Sequence, residues 1–136
     1  MMTTEEAAIA ARIATMDGWQ VPGVAVVDPS TRRVYRMGED CDWRNASGQE
    51  AIYSDASLEQ WSRANDIGPD LSDAATWGAL LGTMPGHAVW SESSDGRWYC
   101  ADWNAEANNP KHTRGAAVGA AWLAVRAGSA SMGVAE

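Results

Sequence analysis

The strongest constraint on the fold is an aromatic stretch with a turn signal in its middle, "HAVWSESSDGRWYCADWN" at residues 87–104. Asp95-Gly96 is the preferred pair for a two-residue type I′ turn, so the stretch predicts a β-hairpin in which Trp90 lies opposite Ala101. Side chains alternate between the two faces of a strand. One face therefore carries Ala88, Trp90, Tyr99, Ala101 and Trp103, and the other carries Val89, Ser91, Ser93, Trp98, Cys100 and Asp102.

The two faces of this hairpin are predicted to have different roles. The chain has eight tryptophans and no phenylalanine, so tryptophan must fill the bulky core positions, and we assign Trp90, Tyr99 and Trp103 to the core. Trp98 falls on the more polar face. Partly exposed aromatic residues carry much of the binding energy at interfaces, which makes Trp98 a candidate contact residue. In the alternative, a neighbouring loop covers it.

Patterns elsewhere predict an α+β domain with the element order α-ββ-αα-ββ-α. We expect the two antiparallel hairpins to form a sheet that helices cover on one face. A single domain is predicted over 1–127, with a flexible tail at 128–136. The other predicted elements are an N-terminal helix, a hairpin over 24–37, a loop with short strands over 38–56, a short helix from Ser57, a helix over 70–82 and a final helix over 113–127.

The first and last helices carry the clearest local signals. Thr3-x-x-Glu6 is a capping box, and Ile9 and Ile13 follow it on one helical face. In the last helix, Gly115 and Gly119 lack side chains at positions that would let the helix backbone approach a sheet closely.

Negative charge is concentrated in one segment of the chain. The net charge is −8, and between Glu39 and Asp73 nine acids against Arg44 and Arg63 give −7, which leaves −1 for the rest. Such a segment repels phosphate and attracts basic partners, and the sequence has no basic stripe for direct nucleic-acid binding. The alternative is a solvated surface that confers solubility. The candidate partner-binding residues are Glu39, Asp40, Asp42, Glu50, Asp55, Glu59 and Trp98.

Signals for catalysis and metal binding are weak. Cys41, His87, Cys100 and His112 are isolated in sequence, whereas metal ligands usually come in local pairs. The nearest nucleophilic combination is Cys100 with His112 and Asp102, but a cysteine in a strand is more often a small apolar filler. We therefore expect a protein that is not an enzyme and that uses no metal and no cofactor.

Two polar segments are candidates for anion binding. Residues 32–36 hold three arginines, and we expect this cluster to pair with the acidic segment rather than with a ligand. The loop over 108–114 leads into the final helix, whose backbone N–H groups can bind an anion. With Trp98, this loop and its Arg114 form the alternative site, for a signalling nucleotide.

Targeting signals are absent from the start of the sequence. The first residues lack the basic and apolar regions of a signal peptide, and the longest apolar run, near 115–125, is too short to cross a membrane. We expect a protein of the bacterial cytoplasm, without membrane association and with Cys41 and Cys100 reduced. The sequence also allows a homodimer.

Residues 70–125 resemble small open reading frames of bacteriophages and prophages. The likeness rests on the helix "DLSDAATWGALLG", the aromatic hairpin and the helix opening "TRGAAVGAAWLAV". The resemblance implies a phage context, in which small acidic accessory proteins bind host proteins; they include the anti-CRISPR class and other inhibitors of anti-phage defence. It carries over no site residues.

Charge, composition and resemblance together predict a non-enzymatic protein that binds and inhibits a host protein. The predicted target is a defence component whose basic groove the acidic surface occupies in competition with nucleic acid. The alternatives are a small-molecule sponge for a signalling nucleotide, an enzyme that uses Cys100 and His112, and a virion or housekeeping protein of a phage.

Overall fold

The computed structural model describes residues 2–16, 18–28, 32–39, 43–45, 67–91, 96–102 and 110–135, with side chains as far as Arg126. These residues form three helices and five strands, which confirms the α+β class. The predicted helix from Ser57 lies outside the described residues. The elements are α1 (Thr4–Ala14), β1 (Ala25–Val27), β2 (Val34–Met37), β3 (Trp43–Arg44), α2 (Ala74–Gly82), β4 (His87–Ser91), β5 (Trp98–Asp102) and α3 (Arg114–Ala135).

Helix α1 begins as the capping box predicts. The Thr3 side chain accepts a hydrogen bond from the Glu6 backbone N–H (3.1 Å), and the Glu6 carboxylate accepts one from the Thr3 N–H (2.8 Å). Ile9 and Ile13 are buried in the core. The capping box therefore located the start of the helix, and the spacing of apolar residues located its buried face.

The first hairpin is antiparallel and pairs Val26 with Tyr35. A short third strand, β3, adds to it through the pair Met37 and Trp43. This strand lies in the segment over 38–56 for which the sequence predicted a loop with short strands. Val24 and Val26 are fully buried, so the hairpin forms one wall of the core.

The second hairpin has a different register from the predicted one. Trp90 pairs with Tyr99 rather than with Ala101. The register differs by an even number of residues, so the same side chains share each face. In the described part of the chain β4 and β5 form a two-stranded sheet separate from the three-stranded sheet of β1, β2 and β3. The two hairpins are therefore antiparallel, as predicted, but each belongs to its own sheet.

The orientation of the second hairpin reverses the sequence assignment of its faces. Val89 and Cys100 pack against the core, on the face predicted to be polar. Trp90 and Tyr99 stack on each other on the opposite face, with ring centroids 6.0 Å apart, and both are half-buried. Strand alternation separates two faces but does not say which one meets the helices. The face with Val89 also carries serines and an aspartate, and for this reason it was predicted to be the polar one. Trp103 lies outside the described residues.

Helix α2 begins at its N-cap residue Asp73 and ends at Gly82. The start lies a few residues after the predicted one, since the sequence predicted a helix over 70–82, and the end coincides with the predicted end. Leu80 is fully buried, while Trp77 and Leu81 are partly buried and pack against the core. The helix therefore contributes an apolar face to the core.

Helix α3 is longer than predicted and packs differently. It runs to Ala135, beyond the expected end at Ala127 and into the segment predicted to be a flexible tail. Its two glycines allow close approach, but to the Leu71 segment and α1 rather than to a sheet. A Cβ at Gly115 would collide with the Leu71 carbonyl oxygen, and one at Gly119 would lie 2.9 Å from the Ile9 side chain.

In the described part of the chain, no helix has both the length and the apolar character that a membrane crossing requires.

Candidate partner-binding site

Two of the predicted partner-binding residues lie in the described part of the chain. Glu39 follows β2 and is exposed, and Trp98 opens β5 and is half-buried. The other acidic candidates lie outside the described residues, so the predicted acidic surface stays a prediction there; they are Asp40, Asp42, Glu50, Asp55 and Glu59.

The backbone of Trp98 is held by a bridge to the segment before α3. The Trp98 N–H donates to the Lys111 carbonyl (2.8 Å), and the Lys111 N–H donates to the Trp98 carbonyl (2.9 Å). This reciprocal pair extends the antiparallel pattern of β5 by one isolated bridge. It brings the start of α3 to the Trp98 ring.

The Arg114 guanidinium lies over the Trp98 ring, with its central carbon 4.3 Å from the ring centroid. This distance is within the range of a cation–π contact. Arg114 is the first residue of α3 and is exposed. The sequence placed Trp98 and Arg114 together in the nucleotide-site alternative, and the structure brings them into contact.

An open cleft of about 500 Å³ lies beside this pair. Two indole side chains line it, Trp98 from β5 and Trp77 from α2. The buried Leu71 adds apolar surface. The remaining lining residues are Thr3, Glu6, Ser72, Ala74, His112, Thr113, Arg114 and Gly115.

Carboxylates from α1 occupy the start of α3. Glu6 is 3% exposed, and its Oε2 accepts a hydrogen bond from the Thr113 hydroxyl (2.8 Å). Glu5 accepts one from the His112 backbone N–H (3.2 Å). That backbone hydrogen bond is the main reason why the pKa of Glu5 is lowered, against a smaller opposing effect of burial. The start of α3, where negative charge is favoured, thus already has carboxylates of the chain itself beside it.

Most polar side chains in the cleft are engaged internally, and Arg114 is the exception. Thr113 caps α3 by accepting from the Ala116 N–H (3.2 Å) while it donates to Glu6. Ser72 donates to the Asp70 carboxylate. Of the residues that the structure describes, none forms a hydrogen bond or an ion pair with the Arg114 guanidinium, which lies over the Trp98 ring.

One arginine of the predicted cluster in the first hairpin, Arg36, pairs with the acidic segment. Arg36 binds the Asp73 carboxylate through two nitrogens, at 2.8 and 3.3 Å. This hydrogen-bonded pairing lowers the pKa of Asp73 and raises that of Arg36. One carboxylate of the acidic segment is therefore used to join β2 to α2 and is not free for a partner.

The catalytic alternative receives little support from Cys100. The thiol is free and packs against the core, and burial raises its pKa to about 11. A thiol with that pKa is protonated at neutral pH and is a poor nucleophile. Among the described residues, no group of three histidine, cysteine or acidic side chains is placed to hold a metal ion.

No protein family, no curated protein and no solved structure matches this chain.

The contacts of Glu5 and Glu6 with the segment before α3 were missed by the sequence analysis. Both residues had an adequate local explanation, since acidic residues are common in the first turn of a helix. The partners lie 107 residues away in the chain. These contacts could have been suggested by the composition of the two helix starts. One begins with two glutamates, and the segment before the other carries hydrogen-bond donors.

Proposed function

We propose that this chain is a non-enzymatic phage or prophage accessory protein that binds and inhibits a host protein, and that this host protein is a component of anti-phage defence. The observation that carries the proposal is the half-buried Trp98 in an open cleft, held by the Lys111 bridge and covered by Arg114. The phage context comes from the resemblance of residues 70–125, and the site of action is the cytoplasm of the bacterial host.

A fixed tryptophan at an open cleft suits a protein partner. Tryptophan and arginine dominate the energetics of protein interfaces, where they fill pockets from which water is excluded. A cleft that encloses a small molecule buries most of the ligand surface, whereas this cleft is open to solvent. The shape therefore favours a segment of another protein over a free metabolite.

The charge of the chain favours a basic partner. The segment from Glu39 to Asp73 carries −7, and Glu39 is exposed. A surface of this sign attracts a basic groove and competes there with nucleic acid. The contact residues in this proposal are Trp98, Glu39, Asp40, Asp42, Glu50, Asp55 and Glu59.

The first test is a pull-down from a lysate of the bacterial host, eluted in salt steps and identified by mass spectrometry. We expect one stoichiometric protein that salt releases, because exposed charges are screened beyond about 10 Å at 0.1 M ionic strength. Trp98→Ala should abolish capture. Trp90→Ala is the matched control, since it removes the same side chain from the opposite face of the hairpin and should leave capture intact.

Charge reversal tests the acidic surface separately. The triple variant Asp40→Lys, Asp42→Lys and Asp55→Lys should abolish binding without lowering the melting temperature. Unchanged affinity in this variant would remove the acidic segment from the interface. Capture that survives both this variant and Trp98→Ala would refute the proposed surface.

A second candidate, a sponge for a signalling nucleotide, is favoured by the convergence of Trp98, Arg114 and His112 on one cleft. A base could stack on the indoles while Arg114 binds a phosphate. Glu5 and Glu6 at the start of α3 weigh against phosphate there. A nucleotide released by heat-denaturing the purified protein, in the absence of a protein partner, would favour the sponge.

A further inference from the structure

We propose that Arg114 occupies the place of a partner arginine, so that the cleft beside Trp98 takes a guanidinium group from a basic segment of the bound protein. Arg114 swings away from the Trp98 ring when the partner binds. This inference rests on the proposed function and adds to it the kind of side chain that enters the cleft and the sign of the Arg114 contribution.

The Trp98 ring is a ready-made platform for a cation. Its backbone is held on both sides by the Lys111 bridge, at 2.8 and 2.9 Å. The contact with Arg114, at 4.3 Å, shows that a guanidinium fits over the ring in this setting. Arginine stacks well on aromatic faces because its charged group is planar and weakly hydrated.

Arg114 itself is held by little else. It is exposed, and in the described part of the chain its guanidinium makes neither a hydrogen bond nor an ion pair. A second arginine can be compared with it: Arg126 lies over the Trp122 ring at 4.8 Å, but Trp122 is 1% exposed and belongs to the core. The Trp98 ring is therefore the platform that a partner can reach.

The surroundings of the cleft favour a cation over an anion. Glu6 lines it, and Glu5 and Asp70 are hydrogen-bonded to its lining residues His112 and Ser72. The hydrogen bond from the His112 backbone N–H, with a smaller contribution from the positive charge of Lys111, lowers the pKa of Glu5 and so favours its negative charge. Removing Arg114 from the cleft leaves it negative, in a chain whose net charge is −8.

The opposite role for Arg114 predicts the opposite result. If Arg114 were an anchor for a partner carboxylate, its loss would weaken binding. If it holds the place of a partner arginine, its loss exposes the ring and deepens the negative charge of the cleft, so binding becomes tighter. The sign of the change in affinity thus decides between the two.

The test uses the peptide acetyl-Gly-Arg-Gly-Arg-Gly-amide as a probe, titrated into the full chain while the tryptophan indole N–H signals are followed by NMR. The probe should shift the Trp98 signal. Arg114→Gln should bind it about two- to fivefold more tightly, the factor that corresponds to one exposed cation–π contact. The same peptide with glutamate in place of arginine should leave the signal unchanged.

Arg126→Gln is the matched control, because it removes the same charge and a similar ring contact at a buried tryptophan. Equal tightening in Arg114→Gln and Arg126→Gln would show a general charge effect and overturn the inference. So would weaker or unchanged binding in Arg114→Gln, or a probe that binds neither protein.

The pull-down separates failure of this inference from failure of the proposed function. A host protein captured in a Trp98-dependent manner, but bound less well by Arg114→Gln, leaves the proposed function standing and refutes the place-holder role. Absence of any captured protein refutes the proposed function itself. Tighter capture by Arg114→Gln supports both.

Discussion

A carboxylate lies at the start of both α2 and α3, but it comes from the N-cap residue at α2 and from another helix at α3. At α2 the N-cap Asp73 belongs to the helix itself, and its carboxylate accepts hydrogen bonds from the Thr76 N–H (3.0 Å), the Thr76 hydroxyl (2.7 Å) and Arg36 (2.8 Å). At α3 the N-cap Thr113 is neutral, and the carboxylate, Glu6, comes from α1 (2.8 Å).

The difference lies in what happens to the nearby arginine. Arg36 is fully committed at α2, where it also donates to the Gly23 carbonyl (2.8 Å). Thr76 extends this network by accepting from the Ala25 N–H (2.9 Å). At α3 the Arg114 guanidinium is left on an aromatic ring at an open cleft. A closed network stabilises the fold, whereas a guanidinium held by a single ring contact can move away and leave that ring to a partner.

The largest expected effect comes from substituting a glycine of α3 that packs closely, compared with a glycine of α2 that does not. Gly115→Ala should destabilise by about 3 kcal/mol, because the added Cβ collides with the rigid carbonyl of Leu71 and the helix must shift. Gly78→Ala in α2 is the control, since its Cβ meets nothing within 4 Å. It should stabilise by about 0.5–1 kcal/mol through the loss of glycine entropy. Urea unfolding of both variants checks this, and similar changes would mean that α3 does not approach Leu71 closely.

The next effect concerns the closed network at α2. Asp73→Ala should cost about 2 kcal/mol, because it removes an N-cap and takes one acceptor from Arg36 and from the fully buried Thr76. Asp73→Asn keeps the cap but not the charge, and should cost about half as much. Thermal unfolding measures both. An equal loss in the two variants would show that the ion pair with Arg36, rather than the cap, carries the whole effect.

Local signals predicted the elements of this fold, and the contacts between distant parts could not be predicted in the same way. The capping box at Thr3 acts within a few residues and located the start of α1. The turn signal and the aromatic pattern of residues 87–104 located the β4–β5 hairpin, but the predicted register was wrong. The reversal of the hairpin faces depends on which surface meets α3, which alternation alone does not encode. Trp98 was identified as a contact candidate because it lay apart from the predicted core, but its pairing with Lys111 and the role of Glu6 at α3 arise from contacts between distant parts of the chain.

Acid should affect α2 through its carboxylate. The pKa of Asp73 is lowered from the ordinary value of 3.8, first by the hydrogen bond from Arg36. A depressed pKa gives stability that is present above the unfolded value and is lost as the pH falls through the folded one. The urea midpoint, measured from pH 6 down to pH 2, should therefore decrease once the pH is below 3.8. The decrease should be smaller in Asp73→Asn. A parallel decline in both proteins would assign the acid sensitivity to other carboxylates, of which Glu5 also has a lowered pKa.

The smallest expected effect is at Arg114. Arg114→Gln should lower the free energy of unfolding by about 0.5–1 kcal/mol at most, the range of one exposed cation–π contact, since no hydrogen bond or ion pair in the described part of the chain depends on the guanidinium. Thermal unfolding checks the prediction, with Arg36→Gln as the comparison, where the loss of the Asp73 pair and the Gly23 contact should be clearly larger. A large loss at Arg114 would place it with Arg36 as a structural residue. A small loss of stability in Arg114→Gln, combined with tighter binding of a basic partner, is the result that the place-holder role of Arg114 predicts.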